Sequence, residues 1–130
     1  MKYFINTSLN GRSFEEAIDL VTEKLKEEGF GVLSEINVTE TLKNKIDVDF
    51  KPYRILGACN PAFAHKALSA EDKIGVMLPC NVVVEQNGDG SIEVSAVDPM
   101  ASMSAVDNDK LGELAAEVQQ KLTKVIESLN

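Results

Sequence analysis

The stretch NVVVEQNGDGSIEVSAV, residues 81–97, has the pattern of a β-hairpin. After its glycine-rich part, Ile92, Val94 and Ala96 alternate with polar residues, which is the pattern of a strand with one buried and one solvated face. Asparagine and glycine at positions 87–90 tolerate the positive φ angles of a tight hairpin turn. Because a hairpin joins antiparallel strands, the sequence predicts a mostly antiparallel sheet.

Two long helices are predicted from apolar residues that recur at helical spacing. The first covers residues 14–28, with Ser13 and Glu16 in the pattern of a capping box and Gly29 just past its end. The second covers residues 109–129 and carries a continuous apolar stripe. Both stripes suit helices that pack on a sheet.

Shorter elements fill the rest of the chain. Strands are predicted at residues 2–6, 30–36 and 53–58, where apolar and β-branched residues are concentrated. Short helices are predicted at residues 39–46 and 61–70, the second because Asn-Pro is a strong helix start.

Two further predictions concern orientation and continuity. Four side chains near the strand at 30–36 are expected to share one face: Phe30, Val32, Ser34 and Ile36. Leu42 and Ile46 of the short helix are expected to face inward. The longest apolar run, residues 74–86, is predicted to be one central strand or two broken pieces, because Pro79 cannot donate a hydrogen bond to a ladder.

The chain of 130 residues is long enough to bury the core of one domain. No repeat or low-complexity segment divides it. We therefore predict a single α+β domain over residues 1–130, with a mostly antiparallel sheet and helices on one face. Because the chain has no tryptophan and few aromatic residues, this core must consist mainly of Val, Ile, Leu and Ala.

The formal net charge is −8, with 21 acidic and 13 basic residues. Such a chain repels phosphate backbones and anionic lipid, so we expect neither a nucleic-acid partner nor a membrane partner. No apolar run approaches the roughly 20 residues of a membrane span, and the first residues do not resemble a signal peptide. A cytoplasmic location is expected, where thiols are usually reduced and a structural disulfide is disfavoured.

Both cysteines are followed by asparagine, in what we call the two Cys-Asn motifs, Cys59-Asn60 and Cys80-Asn81. Cys59 directly precedes the helix that Asn60 caps and Pro61 begins, and a helix N-terminus can lower the pKa of a thiol. Alternatively, Cys59 is a small apolar residue packed at a strand end. Cys80 falls on an apolar face, as a core cysteine would. Asn81 points the other way and either lines a polar pocket or holds an irregular backbone.

A metal site is a further hypothesis. Cys59, Cys80 and His65, the only histidine, supply two thiols and one imidazole, one ligand short of a closed zinc site. Asp98 or a water molecule would have to complete the set, and the spacing matches no recognised zinc pattern. The alternative is that His65 is a surface or half-buried residue.

Familiar catalytic signatures do not occur in the sequence: there is no GxxxxGK[ST], GxGxxG, GxSxG or HExxH. With one histidine, a nucleophilic triad has little support. The sequence therefore leaves open whether the chain is an enzyme and which cofactor, if any, it binds.

The segments LGACNP, residues 56–61, and LPCNV, residues 78–82, resemble the paired LGxCNP and LPCNV stretches of the DUF302 family. The resemblance covers essentially the whole chain, including EEGFGVLSEI at residues 27–36. It implies a TBP-like β-α-β4-α fold with extra short helices, and a homodimer. Because the family has no characterised reaction, the resemblance implies no catalytic residue.

The resemblance makes the paired motifs the candidate ligand-binding site: Cys59, Asn60, Pro61, Pro79, Cys80 and Asn81. We expect a small, soluble, dimeric binding domain whose pocket takes a small molecule or a soft metal ion. Two alternatives stay open. One is a thiol-based redox or sulfur-transfer protein that uses Cys59 and Cys80, and the other is a purely structural or interaction domain.

Overall fold

Five strands form one sheet in the computed structural model, which describes residues 2–130, and every neighbouring pair of strands is antiparallel. The strands are β1 (Phe4–Leu9), β2 (Gly31–Asn37), β3 (Tyr53–Cys59), β4 (Cys80–Gln86) and β5 (Ile92–Val97). Their order across the sheet is β1-β5-β4-β3-β2. The predicted hairpin joins β4 to β5, and the predicted α+β class is confirmed.

The helices are α1 (Phe14–Glu27), α2 (Val38–Ile46), α3 (Pro61–Ala70), a 3₁₀ helix (Asp72–Met77), α4 (Pro99–Ser102) and α5 (Asp109–Glu127). The two longest, α1 and α5, pack against each other and against the same face of the sheet. Both were predicted from their apolar stripes, and their observed ends lie within two residues of the predicted ones.

The predicted capping signals of α1 are confirmed. The Glu16 backbone N–H donates to Ser13 Oγ at 3.1 Å, and the Ser13 N–H donates to Glu16 Oε1 at 2.9 Å. Gly29 follows the helix with a φ of 87°, a left-handed conformation that suits glycine. These contacts end α1 at the point from which the chain can enter β2.

The main core lies between the sheet and the two long helices. Its fully buried side chains come from every layer: Val21, Leu25, Leu56, Ala58, Val82, Val84, Ile92, Val94 and Leu122. A second, smaller cluster holds α3, the 3₁₀ helix and α4 against α5, and its buried members are Ala67, Ile74 and Leu111. The candidate functional site lies where these two clusters meet.

The other face of the sheet, here called the open face, is not covered by α1 or α5. By the strand register it carries Phe4, Ile55, Val83 and Val97, with polar residues such as Asn81 between them. These apolar side chains are half-buried by their neighbours in the sheet. The predicted arrangement with the main helices on one face is therefore confirmed.

The first strand extends further than predicted. We expected a strand at residues 2–6, but β1 continues to Leu9 and pairs with β5 over its full length. Thr7 and Leu9 point to the helical side while the polar side chains face outward, and Asn6 Nδ2 donates to Ser95 Oγ at 2.8 Å across the strands. Cross-strand hydrogen bonding therefore stabilises a segment whose composition indicates a turn.

The prediction that residues 74–86 form one central strand is wrong, and of the two broken pieces allowed as the alternative only the second, from Cys80, is a strand. Residues 72–77 form the 3₁₀ helix, in which Ile74 enters the second cluster and Val76 faces solvent. Strand β4 begins only at Cys80, directly after Pro79, which lacks the N–H that a ladder requires.

The predicted common face of Val32, Ser34 and Ile36 is also wrong. A bulge between Val32 and Ser34 changes the register, so Val32 pairs with Ala58 whereas Ser34 pairs with Gly57. An extra residue in one strand moves the side chains that follow to the other face. Ser34 and Ile36 consequently lie on the open face.

The short helix α2 is confirmed, but its predicted orientation is wrong in part. Asn37 caps it by accepting a hydrogen bond from the Glu40 N–H at 3.0 Å. Leu42 is only half-buried and Ile46 is exposed, because α2 packs against the edge formed by β2 and β3 and not against the core.

Among residues 2–130, no helix has the length and apolar character that crossing a membrane would require.

Candidate functional site

The two Cys-Asn motifs meet because β3 ends where β4 begins. Ala58 pairs with Cys80 across these antiparallel strands, so Cys59 lies one position beyond that pair. Two motifs that lie 21 positions apart in the sequence thus become neighbours. The sheet places Cys80 and the end of β3 against α3, the 3₁₀ helix and α5.

Asn60 ends the first motif and begins α3. Its Oδ1 accepts a hydrogen bond from the Phe63 N–H at 3.4 Å, and Pro61 occupies the first helical position, as predicted. Because a backbone N–H can only donate, the atom facing it must be the amide oxygen. The Asn60 Nδ2 group therefore points away from the cap and lies against Gly29, 3.0 Å from where a side chain on that glycine would begin.

Gly57 and Pro79 connect the two motifs through close packing. A Cβ atom on Gly57 would lie 2.9 Å from Pro79 Cγ and would collide with Ser34 Oγ. Because side chains from both neighbouring strands fill this space, β3 requires glycine at this position. The contact fixes the approach of the chain to Cys80.

A cavity of about 410 Å³ opens between the two hydrophobic clusters, beside these motifs. Four candidate site residues line it, Cys59, Asn60, Pro79 and Cys80. The remaining lining residues are Phe30, Leu33, Ser34, Ala58, Phe63, Ala64, Ala67, Leu68, Gly75, Leu78, Pro99, Met103, Leu114, Ala115 and Val118. Its volume falls within the range of small-molecule sites.

The lining of the cavity is almost entirely apolar. None of the described residues that form it is charged, and its polar residues are Asn60, the two weakly polar cysteines, and Ser34, whose side chain lies on the open face of the sheet. Large apolar side chains also remain exposed at the lining, with Leu33 at 72% and Leu68 at 44%. The cavity is thus an apolar space with an open, apolar mouth.

The two thiols have different surroundings. Cys80 is buried, and this burial, together with the nearby Cys59 thiol, raises the pKa of Cys80 to about 11. Desolvation disfavours the thiolate, so Cys80 stays protonated near neutral pH. Cys59 is half-buried, and both cysteines are free thiols.

The other predicted site residues lie elsewhere. Pro61 begins α3 but does not line the cavity, and Asn81 belongs to a groove on the open face with Tyr53 and Glu85. His65 lies in a surface groove formed by α3 and α5. Asp98 Oδ1 accepts from the Met100 N–H at 2.9 Å to cap α4, and Gln119 Nε2 donates to both of its carboxylate oxygens.

The four residues considered as metal ligands are therefore not assembled. Within residues 2–130, no group of three or more His, Cys, Asp or Glu side chains is placed to hold a metal ion. Cys59 and Cys80 share the cavity, whereas His65 and Asp98 lie outside its lining.

Several lining residues were not recognised from the sequence as part of a site. Phe63 and Ala67 lie four positions apart on α3, and Leu114 and Val118 lie four positions apart on α5. Their helical spacing was visible, but it predicts only an inward face. An apolar stripe has the same pattern whether it contacts a neighbour or borders a cavity.

A sequence model of the family described as "Domain of unknown function DUF302" matches residues 5–129. The chain is also similar to a solved structure, the crystal structure of an uncharacterized conserved protein DUF302 from Bacillus stearothermophilus. The two are 30% identical, each chain is covered completely, and the TM-score is 0.92. Among curated proteins, none matches the sequence.

Proposed function

The chain belongs to the DUF302 family, a domain of unknown function, and we propose that it binds a small apolar molecule in the cavity beside its two Cys-Asn motifs. The observation that carries this proposal is the cavity of about 410 Å³, whose lining includes no charged residue. Apolar cavities of even roughly 150 Å³ hold benzene, because water gains few hydrogen bonds there. A larger, open apolar space is correspondingly suited to a larger apolar ligand.

The exposed apolar residues at the lining support the same proposal. Leaving Leu33 and Leu68 in water costs free energy that a ligand at the mouth would recover, roughly 25 cal/mol for each Å² of apolar surface covered. Contiguous exposed apolar surface is typical of binding sites.

A pair of variants on α3 tests the proposal. Ala64 lines the cavity, whereas Ala62, two positions earlier, is exposed and does not. We expect a neutral fluorescent dye such as prodan to bind the native chain and the Ala62→Phe control. In Ala64→Phe the new ring fills the cavity, so dye affinity should fall at least about tenfold. Equal binding by both variants, each shown to be folded by circular dichroism, would refute the proposal.

The burial of Cys80 weighs against thiol chemistry as the main activity. A nucleophilic or redox-active thiol must form the thiolate, and the raised pKa of Cys80 opposes this at neutral pH. We therefore infer that Cys80 serves as part of an apolar wall. Substituting it with alanine should leave dye binding within about threefold of native. Loss of binding only after mild oxidation of the native chain would instead favour the redox alternative.

We further infer a homodimer, with the open face of one chain packed on that of another, and a cytoplasmic location. The dimer is supported by the half-buried apolar side chains of that face, including Ile55 and Val83, which the long helices leave uncovered. The location is supported by two unpaired thiols.

Light scattering tests the homodimer. It should give about twice the chain mass of 14.1 kDa for the native chain and for an Asp19→Lys control on α1. It should give a single chain mass for Val83→Lys, because the lysine would be buried in the interface. A monomeric native chain would exclude the dimer.

A further inference from the structure

We infer that the ligand is a neutral, mainly apolar molecule with a carbonyl-type hydrogen-bond acceptor, which receives a hydrogen bond from Asn60 Nδ2. This inference rests on the proposed function, since it names the chemical class that the same cavity would bind. It follows from three properties of the lining: its charge, its available donor and its size.

The lining selects against charged ligands. A charge transferred into an apolar space without a partner loses much of its favourable hydration. Neither an anion nor a cation would find an opposite charge among the described lining residues. Cys80 does not supply one near neutral pH, because its thiol stays protonated. The formal net charge of −8 adds long-range repulsion of anions.

Asn60 supplies the polar contact. The cap to the Phe63 N–H engages its Oδ1, so the Nδ2 group, which lies beside Gly29 and next to the lining residue Phe30 in the chain, is the part left to contact a ligand. Within residues 2–130, Nδ2 makes no hydrogen bond, and the side chain is half-buried at the cavity. A half-buried donor selects a ligand with an acceptor, because its hydrogen-bonding capacity is otherwise unused.

Ser34 is the other lining residue with a strongly polar side chain, and its hydroxyl lies beside Gly57 on the open face. It is exposed, so it remains hydrated whether or not a ligand is present. A hydrogen bond exchanged against water contributes less than one formed at a half-buried group. Ser34 therefore serves as the control position for Asn60.

The volume sets the ligand size. Scaling from a cavity of roughly 150 Å³ that holds benzene, a cavity of about 410 Å³ accommodates roughly fifteen non-hydrogen atoms. Ketones, aldehydes, esters and quinones of that size fit both the volume and the single donor.

Displacement of bound prodan by matched ten-carbon compounds tests the inference. Decan-2-one carries a neutral acceptor, decan-1-ol can both donate and accept, and decanoate and decylamine are charged at neutral pH. We expect decan-2-one to displace the dye at a concentration at least about tenfold lower than either charged compound, since desolvation penalises only the latter.

The Asn60→Asp variant separates a donor role from a structural one. Aspartate caps a helix as well as asparagine does, so α3 should keep its start, but the carboxylate cannot donate to a ketone. We expect decan-2-one affinity to fall about three- to tenfold. The affinity of decan-1-ol should hold or rise, because its hydroxyl can donate to the carboxylate. Ser34→Ala should leave the ketone-to-alcohol preference unchanged.

The outcomes distinguish the two proposals. If prodan fails to bind, or binds equally to Ala64→Phe, the cavity is not a ligand site and both proposals fail. If prodan binds in the cavity but charged and neutral compounds displace it equally, the ligand class is wrong and the binding function stands. The same conclusion follows if Asn60→Asp weakens the binding of decan-2-one and decan-1-ol equally. Only a donor role of Asn60 would change the ratio of these two affinities.

Discussion

Pro79, the residue before β4, packs so closely against Gly57 of β3 that its ring occupies the space that a side chain on Gly57 would need. A Cβ on Gly57 would approach Pro79 Cγ to 2.9 Å and would also meet Ser34 Oγ. Gly57 lies two residues before Cys59 and Pro79 lies one residue before Cys80, so this contact holds the chain segments that lead into the two Cys-Asn motifs against each other.

Substitution of this glycine should destabilise the fold. Gly57→Ala forces strand backbone or a proline ring to move, and we expect a loss of about 1–3 kcal/mol in the free energy of unfolding. Urea denaturation measures it. As a control, Gly112→Ala in α5 meets no atom within 4 Å and should raise stability by up to about 1 kcal/mol through helix propensity. If both variants had the same stability, the steric explanation would fail.

The Cys80 thiol should make stability depend on alkaline pH. Its pKa is raised from an ordinary value of 9.0 to about 11 in the folded chain, mainly by burial. Between these two values the unfolded chain loses the thiol proton while the folded chain keeps it. The contribution of this pKa shift to the free energy of unfolding, about 2–3 kcal/mol, is therefore complete below pH 9 and is lost as the pH rises toward 11.

Comparison with Cys80→Ala isolates this contribution from other groups that titrate in the same range. In urea denaturation, the free energy of unfolding of the variant should decline less than that of the native chain between about pH 8.5 and 11, the range that contains both pKa values. Parallel pH profiles for native chain and variant would mean that Cys80 does not titrate as its burial requires.

Asn108 connects the C-terminal end of α3 to the start of α5. Its Oδ1 accepts from the Lys110 N–H to cap α5, and its Nδ2 donates to Ala70 O at 2.9 Å and to Glu71 Oε1 at 3.2 Å. Asn108→Asp keeps the cap but loses both donations, and its carboxylate is repelled by the Ala70 carbonyl oxygen and by the Glu71 carboxylate. We expect a loss of about 1–3 kcal/mol at neutral pH.

The pH dependence of this variant provides the check. A carboxylate beside Glu71 has its folded pKa raised, so the loss should disappear as pH falls through that pKa and the group becomes neutral. Asn108→Ser, which caps without adding charge, should lose less stability and show no such recovery. A loss in Asn108→Asp that persists at acid pH would contradict the role of repulsion.

Arg54 links α1 to the sheet through a forked ion pair. Its Nη1 donates to Glu35 Oε1 at 2.6 Å and its Nη2 to Glu15 Oε1 at 3.0 Å, while the guanidinium lies over the Phe14 ring. Lysine cannot reproduce the fork or the stacking. Arg54→Lys should therefore lower the unfolding free energy by about 1 kcal/mol, and less in high salt because Glu15 is exposed. Unfolding at two salt concentrations measures both effects.

Elements that carry their own local signals were predicted well. The capping box at Ser13, the Asn60-Pro61 start and the turn at residues 87–90 each specify backbone geometry within a few residues. The 3₁₀ helix at Asp72–Met77 has no such signal, since its apolar composition fits a strand equally well and only packing of Ile74 into the second cluster decides the matter.

The candidate site was predicted only in part, for the same reason. The family resemblance led to Cys59, Asn60, Pro79 and Cys80, which line the cavity, and also to Asn81, which the strand alternation places on the opposite face. Whether apolar side chains from separate helices close against each other or leave a space between them depends on tertiary distances. No local spacing in the sequence encodes such distances.

The position of β1 has a consequence for synthesis on the ribosome. Phe4 pairs with Val97, 93 positions later in the chain, so the first strand to be made has no partner until β5 has emerged. The β4–β5 hairpin closes a short loop and can form at once, whereas closing the loop to β1 costs more entropy and slows folding. We therefore expect the growing chain to pair β4 with β5 first and to add β1, its earliest strand, late.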